Sequence, residues 1–196
     1  QNINQLGLAF DPSTANKFVV TYVDSTNSSY GKAIVGTVSG TGSSFGGSEY
    51  FNTGTTAYSD VAFDPSNANK CVIVFKDSGN SSYGTARVAT VSGTGISFGA
   101  EVVFNAGNSP YPTVSFDPNR ANKCVIACRD SGNSGYATVI EGTVSGTGIS
   151  FGTEIVVNSG SSNATNVLFD PNVSGKFLVT YTDAGNSNYG TAILGQ

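Results

Sequence analysis

The sequence predicts an all-β fold: a β-propeller of four 53-residue, four-stranded blades, the fourth lacking its last strand in this chain. Three observations lead there. A fixed internal period runs through the whole chain, each period holds four strand-like runs and no helical pattern, and the composition is rich in turn formers and poor in charge.

The period comes first. Phe-Asp-Pro begins at Phe10, Phe63, Phe116 and Phe169, and each step is 53 residues with no insertion. Asp24, Asp77, Asp130 and Asp183 keep the same spacing, as do Tyr30, Tyr83, Tyr136 and Tyr189. The turn VSGTG starts at Val38, Val91 and Val144. One domain over residues 1–196 follows, with copies at 1–53, 54–106, 107–159 and 160–196.

The second copy shows the elements in order. Asp60 to Phe63 alternates Val61 and Phe63 on one face, a first strand. Cys71 to Lys76 is apolar on both faces, with Cys71, Ile73 and Phe75 opposing Val72 and Val74, which suits a strand buried between stacked sheets. A third strand is expected from about Thr85 to Ser92, and a fourth from Ile96 to Phe104. The FDPSNANK segment follows the first strand with Asp and Pro placed for a type I turn, and SGTG after the third is a glycine hairpin signal. Helical solenoids are excluded by the missing 3.6-residue periodicity. A β-solenoid or sandwich is the competing all-β reading, but its turns are less hairpin-like.

Composition narrows the function classes. Only 11% of residues are charged, the net charge is −4 and 25 residues are Gly. No Lys/Arg cluster exists to neutralise phosphates, so neither nucleic acid nor an anionic membrane surface is an expected partner. No apolar run is long enough to span a bilayer, so membrane insertion is not expected. The chain contains no Met, which leads us to expect a processed product or part of a longer protein. Cys71 and Cys124 occupy equivalent positions and Cys128 lies four residues further along one strand; all three are expected as buried free thiols, because such spacings exceed disulfide reach.

Antiparallel strands sort the loops by end. FDPxxANK and VSGTG share one end, and the loops after the second and fourth strands share the other. The second-strand loops read DSTNSSYG, DSGNSSYG, DSGNSGYA and DAGNSNYG. Read structurally, Asp caps backbone amides, Gly supplies a positive φ and Tyr covers the blade edge. Read functionally, Asp24, Asn27 and Tyr30 form a sugar site, and so do Asp77, Asn80 and Tyr83, then Asp130, Asn133 and Tyr136, then Asp183, Asn186 and Tyr189. In this reading carboxylate and amide bond hydroxyls while the ring stacks on the sugar. Tyr58 and Tyr111, from the loop after the fourth strand, join this set, and Ala164 stands at their place in the next copy. Calcium is a weaker reading, since each loop holds one carboxylate. No metal or other cofactor is expected.

The chain has no His, which removes the usual general base and most triads. Asp60, Arg87 and Glu141 depart from their repeat equivalents but do not form a constellation. A non-enzymatic module is the resulting expectation.

The stretches GKAIVGTVSGTGSSFG (31 to 46) and GTARVATVSGTGISFGAEVVFN (84 to 105) resemble a repeat of marine phage and environmental bacterial proteins, and the similarity covers essentially all four copies. The resemblance implies propeller arrays of tail-fibre or adhesion type, at an extracellular or virion-surface location. The DxGNSxY loop is also similar to the Asp-box turn of sialidase-type propellers, with one extra residue before the aromatic and no Trp; no sialidase activity carries over. Two functions remain open: multivalent recognition of a glycan or cell-surface polysaccharide, and a structural module that oligomerises through its unpaired blade edge, as a homo-oligomer or as a stretch of a longer chain.

Overall fold

In a computed structural model, the described backbone covers residues 3–196, with side chains described from Leu6 onward. Every regular element among these residues is a β-strand. Unit 1 holds β1 (Ile3–Phe10), β2 (Lys17–Asp24), β3 (Tyr30–Ser39) and β4 (Gly42–Phe63) as far as Thr55. The rest of β4 opens unit 2, followed by β5 (Lys70–Asp77), β6 (Tyr83–Ser92), β7 (Gly95–Phe98) and β8 (Val102–Asn108). Unit 3 contains β9 (Thr113–Phe116), β10 (Lys123–Asp130), β11 (Tyr136–Ser145), β12 (Gly148–Phe151) and β13 (Ile155–Phe169) as far as Ser161. Unit 4 is the remainder of β13 with β14 (Phe177–Asp183) and β15 (Tyr189–Gly195).

All pairings are antiparallel, and they join into an eight-stranded and a seven-stranded sheet. Two sheets result because β4 and β13 each run unbroken from the outer strand of one unit to the inner strand of the next. Between β8 and β9 the chain breaks at 109–112, where Pro110 and Pro112 remove backbone donors. The expected loop after the fourth strand is therefore a strand with a bulge in two of three places. The expected fourth strand, Ile96 to Phe104, is in fact two pieces, β7 and β8, both paired with β6.

The core lies between units. Each unit has a trailing face that meets the leading face of its successor. Val19, Ala33 and Val35 of unit 1 pack on Val61, Phe63, Cys71, Ile73 and Phe75 of unit 2. Val72, Val74, Ala86 and Val88 then meet Val114, Phe116, Cys124 and Ile126, and Val125, Ala127 and Val139 meet Val167, Phe169 and Phe177. That is why β5 and β10 are buried on both faces, as their sequences predict. Burying each such Val, Ile or Phe contributes about 1.5–3 kcal/mol. Adjacent turns add polar stitches: Asn122 N donates to Ser66 Oγ at 3.0 Å, and Gly175 N to Asp117 Oδ2 at 2.8 Å.

Inside the repeat, volumes compensate. Phe18 lies directly opposite Gly36, and its ring fills the place a Cβ would take. In unit 2 the same pair is Cys71 and Ala89, and in unit 4 it is Phe177 and Gly195. A second pair behaves alike: Phe51 covers Gly31 and Phe104 covers Gly84, whereas unit 3 sets the smaller Val157 near Ala137.

Cys71, Cys124 and Cys128 are buried and free. Burial pushes the Cys71 and Cys124 thiols up to about 12, and raises Cys128 as well.

Two outcomes are expected. Gly84→Ala should destabilise the protein by roughly 1–3 kcal/mol through collision with Phe104. Adding Phe104→Val should recover part of it, so that urea unfolding of the double variant shows a favourable coupling of roughly 1 kcal/mol or more over the two single variants. At pH 8 the protonated, enclosed thiols should resist alkylation in the folded protein, and mass spectrometry should find three alkylated cysteines after denaturation without reductant.

Candidate functional site

The loops between second and third strands begin with an aspartate, buried at Asp24, Asp77 and Asp130 and half-buried at Asp183. Asp77 Oδ1 accepts from Gly79 N at 3.0 Å and Asn80 N at 3.2 Å, and Asp130 Oδ1 from Gly132 N at 2.9 Å and Asn133 N at 3.2 Å. Asp183 repeats the bond to Gly185 N at 3.0 Å. Asp24 accepts from Thr26 N and Oγ1 and pairs with Lys32 Nζ at 2.9 Å. These are Asx turns, in which the carboxylate shapes its own loop.

The glycine two residues after the aspartate, Gly79, Gly132 or Gly185, does not supply the positive φ. The left-handed residues are Ser28 and Ser29, Ser81 and Ser82, Ser134 and Gly135, then Ser187 and Asn188. Gly79 and Gly132 allow a close approach, because a Cβ on either would stand 3.3 Å from Gly54 Cα or 3.2 Å from Gly107 Cα on the preceding unit. The loop thus also locks a joint between units.

Of the amides, Asn80, Asn133 and Asn186 are exposed, while Asn27 donates to Tyr50 Oη at 2.5 Å. Tyr30 meets Tyr50 edge-on at 5.8 Å, Tyr83 and Tyr136 are half-buried, and Tyr189 is exposed. Asp130 and Asn133 border a hollow of about 460 Å³ together with Asn105 and Glu154. Asn105 Nδ2 donates to Glu154 Oε1 at 2.9 Å there. Burial, and then the nearby Asp130 charge, raise the Glu154 pKa.

Tyr58 and Tyr111 have a different setting. Both are left-handed, at φ 52 and 58, and Ala164 at φ 48 holds the equivalent place. Such angles are rare for a bulky residue. The first and third lie at bulges in the inner strands, and Tyr111 lies between the two prolines. The result is convergence. The Tyr58 and Tyr111 rings stand 4.6 Å apart, tilted by 54°, at a hollow of about 420 Å³ that also touches Leu6, Asp60, Thr113, Ala164 and Thr165, so that all four units border it. A hydrogen bond with Tyr111, and then burial, raise the Tyr58 pKa. Thr165 Oγ1 donates to Tyr111 O at 2.7 Å and Asp60 Oδ2 accepts from Val114 N at 3.0 Å, so neighbouring inner strands are tied at the rim. None of the second-strand loop tyrosines lines this hollow.

The three departures from the repeat act at joints or beside them. Arg87 donates from Nη1 to Phe51 O at 2.6 Å and from Nε to Gly99 O at 2.9 Å. Glu141 accepts from Lys123 Nζ at 2.8 Å and pairs with Arg120 at 3.0 Å. Asp60 reaches the hollow at Tyr58 and Tyr111, and Glu141 lines a separate, smaller one beside Arg120 and Phe177. The sequence marked Asp60 only as an irregularity, and its neighbours Leu6 and Thr165 carried no signal.

No family model matches the chain, and no curated protein matches it in sequence. Its fold does match solved structures. An exo-β-1,3-galactanase from Phanerochaete chrysosporium aligns at TM-score 0.63 and 11% identity, over 96% of this chain and 46% of that one. NanB sialidase from Streptococcus pneumoniae aligns at 0.60 and 12%, over 91% and 28%. Sqt1 from Chaetomium thermophilum aligns at 0.59 and 16%, over 90% and 40%. The chain therefore spans less than half the length of each. At these identities the likeness establishes the fold, a propeller-type all-β architecture. It also corrects the expectation of a non-enzymatic module: the galactanase and the sialidase are glycoside hydrolases on this architecture, and glycoside hydrolysis commonly runs on paired carboxylates without histidine.

Asp60 gives a pH test of the rim. Burial raises its pKa above the ordinary 3.8. An acid with a raised folded pKa stabilises the fold below its unfolded pKa and loses that contribution as pH rises through the folded value. Asp60→Asn should therefore gain stability relative to the unmodified protein on going from pH 3 to pH 7, as read from urea midpoints at both; a pH-independent difference would contradict the assignment.

Proposed function

We propose that this chain is a carbohydrate-recognition propeller whose principal sugar site is the hollow at Tyr58 and Tyr111. The observation that carries the reading is the convergence of two tyrosines, each held in an unfavourable left-handed conformation, on one concave surface where all four units meet. Strain of this kind persists where the surroundings enforce it, and it clusters at ligand sites. A ring pair offers an apolar face to a sugar, the hydroxyls bond to it, and Asp60 and Thr165 add polar groups at the rim. The sugar-acting neighbours named above support a glycan as ligand. The exposed Asn80, Asn133 and Asn186, with the adjoining tyrosines, are shallow secondary contacts that add avidity on a polymer. The phage and environmental repeat that the sequence resembles supports surface polysaccharide as the target, and an extracellular or virion-surface setting.

Immobilised glycans titrated with three proteins test this. Tyr58→Ala combined with Tyr111→Ala should weaken binding about tenfold or more, since each lost ring contact is worth roughly 1 kcal/mol. The quadruple variant of Tyr30, Tyr83, Tyr136 and Tyr189 to Ala should retain the principal site and lose only avidity on polymers. Unchanged binding by the folded double variant would remove the axial hollow from the reading.

A further inference from the structure

We propose that two copies of this chain associate head to tail, the trailing face of unit 4 of one copy stacking on the leading face of unit 1 of the other. Among the described residues nothing covers either face. On the leading side Leu8 and Phe10 are 59% and 58% exposed, whereas their equivalents Val61, Phe63, Val114, Phe116, Val167 and Phe169 are buried in the joints. On the trailing side Leu178 and Leu194 are 45% and 65% exposed, although Val19, Val72 and Val125 are buried at the position of the first, and Val35 and Val88 at that of the second. Burial along β14 accordingly alternates, where β5 and β10 are buried on both faces over Cys71–Phe75 and Cys124–Cys128.

The occupant follows from the repeat itself. Each internal joint places a trailing face on a leading face of the same sequence pattern, three times over. The surface complementary to the exposed trailing face is thus a leading face, and a second copy carries an uncovered one. Nothing charged opposes the match: Leu178, Thr180, Ala192 and Leu194 would meet Leu8, Phe10 and Val20. The polar stitch has its parts in place as well. Asn69, Asn122 and Gly175 donate their backbone N–H to the FDP turn of the preceding unit. Asn16 is the equivalent donor on unit 1, and Asp170 and Asn172 are the equivalent, exposed acceptors on unit 4. Because the two faces differ, the contact is heterologous, and it closes into a ring or continues as a chain of copies according to its rotation. The apolar stacking is distinct from strand addition at the β15 edge, and it does not depend on the sugar site.

Two variants separate these cases. Leu178→Asp with Leu194→Asp blocks the trailing face, and Leu8→Asp with Phe10→Asp blocks the leading face; all four side chains are exposed, and circular dichroism verifies the fold. Light scattering at up to about 100 µM, where a micromolar interface is saturated, should give the unmodified chain at twice the monomer mass or more. Each variant alone should be monomeric. An equimolar mixture should form a one-to-one heterodimer, since each retains the face that the other lacks. A monomeric unmodified chain would overturn the proposal and assign these faces to another partner. Self-association of either blocked variant would overturn it in favour of the β15 edge.

Discussion

The structure depends on one constraint: a sheet in the middle of a stack has no face for water. Units 2 and 3 are apolar on both sides because each is a partner twice, once through its leading and once through its trailing face. From that follow the scarcity of charge, the buried thiols and the concentration of polar groups at the strand ends. It also explains where the exceptional residues lie. Arg87 binds carbonyls of two units, Asp60 reaches an amide of the next inner strand, and the Asx loops press glycine on glycine across a joint. Polar chemistry in this protein mostly serves to fix one unit against the next.

The axial hollow is a product of the same stacking. No single unit contains it. Tyr58 and Tyr111 are 53 positions apart in the chain and come within ring contact only because their inner strands are adjacent. The left-handed backbone, at a bulge for Tyr58 and between two prolines for Tyr111, turns each side chain out of the ordinary strand alternation, and the ties from Thr165 and Asp60 hold the rim. A site made this way inherits its precision from the joints around it.

What the sequence revealed follows from what is local. The period, the doubly apolar strand Cys71 to Lys76 and the glycine hairpins depend on neighbouring residues, and each is found where its pattern places it. The misreadings involve distant partners. Gly79 looks from its neighbours like a turn glycine, but the left-handed residues of the turn are Ser81 and Ser82, and the glycine answers to Gly54 on another unit. The continuity of β4 across two units was hidden because a strand that leaves one sheet for the next looks, residue by residue, like a polar loop. Tyr58 and Tyr111 were visible as candidates, yet their convergence was not, since it is set by the radial order of units. The absence of histidine does not exclude hydrolytic chemistry, because the architecture is shared with hydrolases that act on sugars.

The compensated pairs bear on how the chain finds its own partners during folding. Tandem copies this alike invite a strand of one unit to pair with the counterpart strand of another, a known failure of repeat proteins. Here the interior acts as a set of keys. Unit 1 combines Phe18 over Gly36 with Phe51 over Gly31, unit 2 replaces the first pair by Cys71 and Ala89, and unit 3 uses Cys124 with Gly142 and Ala137 with Val157. No two of these three units share both pairs. Exchanging β3 and β6 would drive Phe18 against Ala89, so the exchanged pairing carries a clash that the native pairing lacks. The repeat stays uniform at its turns while its interior tells the copies apart.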